Sequence, residues 1–269
     1  MSCPICSGVM HNCFQAKVLG KYLAQYEACD GCGFLRALNP HWLDEAYTRA
    51  IANADTGLVM RNISLANKIA RVLYWLMPER GQGHYLDAAG GYGILTRIMR
   101  DYGFDFYWAD KYCENLVAPG FEYSSAIGHC LVATANEVLE HVVDPKAFVK
   151  EVLGLSGAST LIFTTELYKG EPPQPNDWWY YSFATGQHIG FFQQRTLEKL
   201  ATDLGLKFAT SNGLHILSKE PISQFKLDLL TNRYFSIFPP FLIRRFLGTK
   251  TISDHEDMMK IIVATEITN

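Results

Sequence analysis

Four of the seven cysteines fall as two C-x-x-C pairs, Cys3-Pro4-Ile5-Cys6 and Cys29-Asp30-Gly31-Cys32, with 22 residues between them. Thiolates two residues apart on a tight knuckle can face one tetrahedral Zn²⁺, so two pairs supply a complete four-sulfur shell. With all four positions filled by protein, such an ion has no open coordination site and its role is structural. Gly8, Gly31 and Gly33 flank the pairs, where knuckle turns are expected to need positive φ. A redox C-x-x-C would sit at a strand-to-helix junction, and neither pair does. Cys13 lies between the pairs as a competing thiol, while Cys113 and Cys130 read as packed thiols.

A second constellation is Leu86-Asp87-Ala88-Ala89-Gly90-Gly91-Tyr92-Gly93, placed where a strand hands over to a helix. Glycines there let backbone approach a ligand closely, and the helix N-terminus offers free amides. Asp110 follows 17 residues after Gly93, at the end of the next strand. An acid at that place can accept hydrogen bonds from both hydroxyls of a ribose, so loop and acid together imply an adenosine-bearing cofactor. The strict G-x-G-x-x-G of NAD enzymes and the Gly-Lys-Ser/Thr of P-loops are both absent. Further along, Gly186-Gln187-His188 stands among aromatic residues. A neutral imidazole can take a proton from a hydroxyl near pH 7, which makes His188 the first candidate for a general base and His141 the second. The competing reading of each is a histidine that only hydrogen-bonds within the structure.

On these residues the sequence resembles the class I S-adenosylmethionine-dependent methyltransferases, whose first motif is D-x-G-x-G-x-G. Asp87, Gly91 and Gly93 match it, and Ala89 stands at the first glycine. Ala135-Asn136-Glu137-Val138-Leu139-Glu140-His141, followed by Asp144-Pro145, looks like the fourth-strand motif of the same family. The resemblance covers about residues 84–165 and implies S-adenosylmethionine as cofactor. Gly91 and Gly93 would then border its amino-acid part and Asp110 its ribose. The full candidate cofactor set is Asp87, Ala89, Gly90, Gly91, Tyr92, Gly93, Asp110, Lys111, Asn136 and Glu137. The layout is also similar to a narrower group, zinc-bearing methyltransferases that act on sugars. In that group a histidine preceded by a carboxylate deprotonates the sugar; here Gln187 precedes His188. The same resemblance adds Tyr47, and the pair Arg61-Asn62, as residues that reach the cleft.

The elements that must position these residues read as α/β. Residues 1–38 hold the cysteine pairs and little that could form an independent apolar core, and are expected to be a small zinc-ribbon-like module. Residues 39–80 form a helical linker, with Ile63, Ala66, Ile69, Ala70, Leu73 and Leu76 as one buried stripe. From residue 81 to 220, strands alternate with helices, which predicts a Rossmann-like parallel sheet with helices on both faces. Strands are expected at 85–89, 104–110, 130–135 and 160–165, helices at 94–102, 144–155 and 196–204. Asn212-Gly213 marks a hairpin between 206–211 and 214–218. Residues 221–269 are a mostly helical extension with an aromatic run from Tyr234 to Phe246.

Bulk properties narrow the partners. The chain has 269 residues, 48% hydrophobic and 19% charged, with a net charge of −3, so no clustered positive charge points to nucleic acid. No apolar stretch reaches membrane-spanning length, although Arg244 and Arg245 in the aromatic run allow weak peripheral membrane contact. No secretory leader is read and the cysteine pairs suit a reducing compartment, so the cytoplasm is the expected location. The substrate expected is a small molecule, a nucleotide sugar or glycan, and Trp178-Trp179-Tyr180-Tyr181 could pack flat against sugar C–H faces or simply close the core. Rival functions are methylation of a small aromatic or lipid-like acceptor, a non-catalytic cofactor-binding scaffold, and third an oxidoreductase.

Overall fold

The computed structural model describes residues 2–47, 55–232, 234 and 240–268. Its elements in chain order are strands β1 (Met10–Val18), β2 (Tyr22–Cys29) and β3 (Leu35–Ala37), then helices α1 (Leu43–Ala46) and α2 (Leu58–Trp75). There follow β4 (His84–Ala88), α3 (Ile94–Asp101), β5 (Asp105–Ala109), β6 (Cys130–Asn136), α4 (Pro145–Ser156) and β7 (Thr160–Thr164). The remainder is β8 (Gly190–Phe191), α5 (Gln194–Asp203), β9 (Lys207–Ser211), β10 (Leu214–Ser218), α6 (Gln224–Thr231), α7 (Pro240–Leu247) and α8 (Thr251–Thr268). One sheet runs β1-β2-β3-β8 and the other β5-β4-β6-β7-β10-β9. Parallel pairing of β4 with β5 and β6, and antiparallel pairing of β10 with β7 and β9, make the second sheet mixed. The fold is α/β and Rossmann-like, as the alternation of strands and helices predicts.

The described chain divides into two compact units, each discontinuous in sequence. One takes the residues up to Asp55 together with Ala135–Ile222; the other takes Thr56–Thr134 and everything from Ser223 on. Strand β6 passes through the boundary.

In the first unit the N-terminal segment is more than a pair of metal knuckles. β1 and β2 form a long antiparallel ribbon, with β3 and β8 added beside it. Its inward residues Val18, Tyr26 and Leu35 are buried with Trp42, Tyr180, Tyr181 and Phe191 in one cluster. The segment therefore has an apolar face after all, but the core it builds is completed by residues 150 positions away in sequence, which no local pattern exposes. Local rules set the helix ends here. Asp144 caps α4 by accepting the Ala147 amide at 2.9 Å, Pro145 opens the first turn and Gly157 closes it at φ 66°. Helix α5 begins at Gln194, earlier than expected, because Gln193 and Thr196 form a reciprocal capping box. Asn212 (φ 50°) and Gly213 (φ 76°) make the expected two-residue hairpin turn.

In the second unit α2 buries Leu65, Ala66, Ile69, Ala70, Val72 and Leu73, while Ile63 is 36% exposed, so the stripe begins two residues later than the spacing predicts. Arg100 of α3 is buried and fixes α8. Its guanidinium donates twice to Asp254 at 2.8 Å and once each to Asp105 and the Phe106 carbonyl, and it lies 3.7 Å from the Phe121 ring centre. Of the aromatic run 234–246, residues 235–239 fall outside the described residues and 240–246 lie in α7. No described helix is long and apolar enough to cross a membrane.

Candidate active site

The candidate site residues fall into three groups of side chains, two in the first unit and one in the second. The four cysteines converge as the spacing predicts. Cys3 Sγ lies 3.6 Å from Cys32 Sγ and Cys6 Sγ 3.3 Å from Cys29 Sγ, and all four sulfurs are within 4.8 Å of one another. A tetrahedral Zn²⁺ at about 2.3 Å from each sulfur needs sulfurs roughly 3.8 Å apart. The set therefore fits the ion. Backbone amides of Ile5 and Gly8 donate to Cys3 and Cys6 at 3.4 Å, as knuckle amides do toward thiolates. The hydrogen bond from Cys32 holds the Cys3 thiol below the usual thiol range. Positive φ falls on Ser7 and Gly33, not on Gly8 or Gly31. Gly8 is demanded by space instead: a Cβ there would stand 3.1 and 3.2 Å from the sulfurs of Cys6 and Cys29. Cys13 is exposed and outside the cluster.

The glycine loop belongs to the second unit. Asp87, at the end of β4, is buried and accepts the hydroxyls of Thr134 at 2.9 Å and Thr96 at 3.0 Å. Burial pushes its carboxyl up to about 6 against those two hydrogen bonds. Its bonds all run to the interior, beneath the loop. Ala89, Gly91 and Gly93 take φ of 53°, 55° and 85°, so the alternate positions where the motif has glycine are left-handed. The departure at Ala89 is thus a matter of backbone strain as well as of an added methyl. Gly90 is fixed by packing, since a Cβ would stand 2.7 Å from the Trp108 ring and 2.8 Å from Asp87. Trp108 in turn donates to the Gly91 carbonyl at 2.8 Å. Asp110 closes the loop: its Oδ2 accepts the Gly91 amide at 2.9 Å, and its Oδ1 accepts the amides of Tyr112 and Cys113 at 2.7 and 2.9 Å. Tyr92 accepts the Leu116 and Val117 amides through its carbonyl. Lys111 follows on the exposed side. Asn62 donates back to Leu58 of its own helix α2, and Arg61 is exposed.

The third group, in the first unit, gathers all four candidate catalytic residues. Tyr47 Oη is 2.9 Å from His141 Nδ1, which is 3.1 Å from the Gln187 carbonyl oxygen. His188 Nδ1 is 2.6 Å from the Tyr180 carbonyl oxygen. The two imidazoles stand edge to face, with ring centres 4.7 Å apart. Burial lowers both histidines; His141, with His188 beside it as a further cause, falls to about 3. The Gln187 side chain donates to the Ala46 carbonyl at 3.0 Å, and so braces α1. The carboxylate of this cluster is Glu140, wholly buried, with Oε1 accepting the Tyr180 hydroxyl at 2.6 Å. Burial, and then the charge of Glu137, push it up to about 8. Glu140 stands in the quoted V-L-E-H motif, yet its place beside His188 arises from tertiary structure alone. Asn136 and Glu137 precede it at the end of β6: both polar atoms of the Asn136 amide are buried without a partner among the described residues, and Glu137 sits at φ 55°. Of the aromatic quartet, Tyr180 and Tyr181 close the core and Trp179 is 78% exposed.

The family described as "Methyltransferase domain" matches residues 61–211, more than half of the chain. No curated protein matches. Among solved structures, TnmH is similar at 16% identity and a TM-score of 0.45, over 68% of this chain and 62% of its own. The chain thus spans less than two thirds of that protein. Magnesium protoporphyrin IX methyltransferase from Synechocystis PCC 6803, with bound SAH, is similar at 15% identity and a TM-score of 0.39, over 65% and 92%. An O-methyltransferase family protein from Burkholderia thailandensis gives 14% and 0.43, over 65% and 61%. Likeness at these values identifies no substrate.

Proposed function

The chain belongs to the class I S-adenosylmethionine-dependent methyltransferases, and on that premise we propose that it methylates a hydroxyl of a sugar or glycan precursor, nucleotide sugars included. S-adenosylmethionine supplies a methyl group already activated on a sulfonium, which leaves alignment, exclusion of water and the acceptor's proton to the protein. The loop Ala89–Gly93 with Asp110 and Lys111 would hold it, Asp87 bracing the loop from beneath. Three left-handed positions at alternate residues, Ala89, Gly91 and Gly93, fit a backbone that must approach a ligand closely. The unpartnered amide of Asn136 fits a polar ligand at the end of β6, with Glu137 beside it.

The observation that carries the proton-handling assignment is the tether of His188. With Nδ1–H donating to the Tyr180 carbonyl, the lone pair is left on Nε2, and burial keeps the ring neutral. His188 is therefore the base of the metal-free protein; His141, Tyr47 and Gln187 set its surroundings. Trp179, exposed in the same unit, offers a face to sugar C–H groups. The cysteine cluster would hold structural Zn²⁺ that cross-links the N-terminal strands, and cysteines used as metal ligands rather than disulfides suit the cytoplasm.

Calorimetric titration of the purified protein with S-adenosylmethionine, S-adenosylhomocysteine and NAD tests the cofactor assignment. The first two bind saturably, NAD does not, and Asp110→Asn weakens binding about tenfold or more. Labelled methyl transfer to a panel of nucleotide sugars then tests the acceptor, with His188→Asn lowering kcat about 10²-fold at unchanged cofactor affinity. Absence of cofactor binding by folded, zinc-loaded protein defeats the assignment. Turnover of aromatic or lipid-like acceptors alone defeats the sugar reading.

A further inference from the structure

The first unit contains a second set of metal donors besides the cysteines. One donor atom each from Glu140, His141 and His188 lies within 4.8 Å of the others. We propose that these three residues form a binding site for a divalent transition-metal cation such as Mn²⁺, Fe²⁺ or Zn²⁺.

The Glu140 carboxylate is wholly buried, and while Oε1 takes the Tyr180 hydroxyl, Oε2 has no hydrogen-bond partner among the described residues. A buried acceptor left in this way carries an uncompensated desolvation cost, so the site is shaped for something that would satisfy it. The ring tethers are compatible with metal binding. Placing each ring proton on Nδ1 satisfies the carbonyls of Gln187 and Tyr180, with the Tyr47 hydroxyl oxygen a second neighbour of His141 Nδ1, and leaves Nε2 of each ring as its lone-pair nitrogen. An imidazole that donates its other N–H to a carbonyl, and a ligating carboxylate that is itself hydrogen-bonded, are the usual outer partners of a metal site. Tyr180 supplies two of those three partners, one through its hydroxyl and one through its carbonyl, so a single buried residue fixes two ligands.

The donor types select the ion. Two imidazoles and one carboxylate suit Mn²⁺, Fe²⁺ or Zn²⁺ and leave coordination positions open, whereas Mg²⁺ and Ca²⁺ favour all-oxygen shells. The cysteine cluster, all sulfur and fully coordinated, is a different class of site and would keep Zn²⁺. The site itself stands on this geometry; only its use rests on the methyltransferase reading. With both Nε2 atoms ligated, His188 has no lone pair for a proton. The cation would then supply Lewis-acid polarisation of an acceptor hydroxyl, with Glu140, His141 and His188 holding it and His188 acting as ligand in place of base.

The test uses full-length protein whose cysteine-bound zinc has been quantified, titrated with Mn²⁺ and read by loss of the free-ion paramagnetic resonance signal. One Mn²⁺ binds per chain beyond the zinc; Glu140→Gln and His188→Ala each weaken it about tenfold or more, and Cys13→Ser leaves it unchanged. Circular dichroism melts establish that the variants are folded, and Glu140→Gln, being isosteric, is the variant that decides if the others are not. No Mn²⁺, Fe²⁺ or Zn²⁺ bound beyond the cysteine cluster, or binding indifferent to Glu140→Gln, overturns the proposal. S-adenosylmethionine binding is measured on the same samples without added metal. Its loss with Mn²⁺ binding intact defeats the methyltransferase reading alone, and the reverse defeats the cation site alone.

Discussion

Asp87 has the type and place of a cofactor ligand in the sequence, but its carboxylate is spent on Thr96 and Thr134, beneath the loop. Burial raises it from 3.8 to about 6. Between those values the folded protein keeps a proton that the unfolded chain has released, so rising pH favours unfolding there and has no further effect above about 6. The expected outcome is that wild type loses about 2 kcal/mol relative to Asp87→Asn between pH 4 and 6, read from urea unfolding. A difference that stays flat with pH would show the carboxyl to be ionised in the fold. The candidate catalytic cluster makes the complementary point about single residues. Gln187 occupies the position at which the sugar-methyltransferase pattern has a carboxylate, and the acid is found instead at Glu140, 48 positions before His188. Adjacency in sequence was the wrong measure of adjacency in space.

At the scale of elements, the turn between β4 and α3 concentrates the constraints. Gly93 is the N-cap of α3 at φ 85°, and a Cβ there would stand 2.5 Å from the Asn115 side chain. Gly93→Ala is therefore expected to destabilise by about 2 kcal/mol and to weaken S-adenosylmethionine binding, measured by thermal melts and titration. Unchanged melting would mean that the loop relaxes without consequence. The glycine pattern alone made this turn legible, because a left-handed backbone and close packing each leave a mark on residue type. The strands β1 and β2 carry a mark of their own, since Phe14-Gln15-Ala16-Lys17-Val18 and Ala24-Gln25-Tyr26-Glu27-Ala28 alternate apolar with polar residues. Reading the first 38 residues as metal knuckles passed over it, and the ladder is interrupted only by a register shift between Asn12 and Phe14.

For the whole molecule, neither compact unit is a continuous stretch of chain. In the first, the strands that carry the cysteines share a core with Tyr180, Tyr181 and Phe191. Zinc would then cross-link the ends of a ribbon whose packing extends to the residues that orient His188. Chelating the zinc, or Cys29→Ser, is expected to lower Tm by about 5 °C or more, followed by calorimetry with the metal content measured alongside. Melting indifferent to complete removal of zinc would make the cluster dispensable to the fold. In the second unit the same kind of long-range closure is made by charge, Arg100 joining α3 to Asp254 of α8, where removing one partner would strand a buried ion.

What the sequence determined by itself was whatever local physics writes into residue type: two cysteine pairs at ligand spacing, a left-handed glycine turn after an apolar strand, caps and a hairpin dipeptide. From these the α/β class, the methyltransferase family and the convergence of the cysteines were readable. Tertiary structure alone decided which polar groups face one another: that Asp87 is turned inward, that Asp110 ties its loop through three amides, and that Glu140, His141 and His188 meet around Tyr180. Those meetings depend on burial and on contacts between distant segments. Their energies come from desolvation and from the partner found, and a residue's neighbours in sequence carry no record of either.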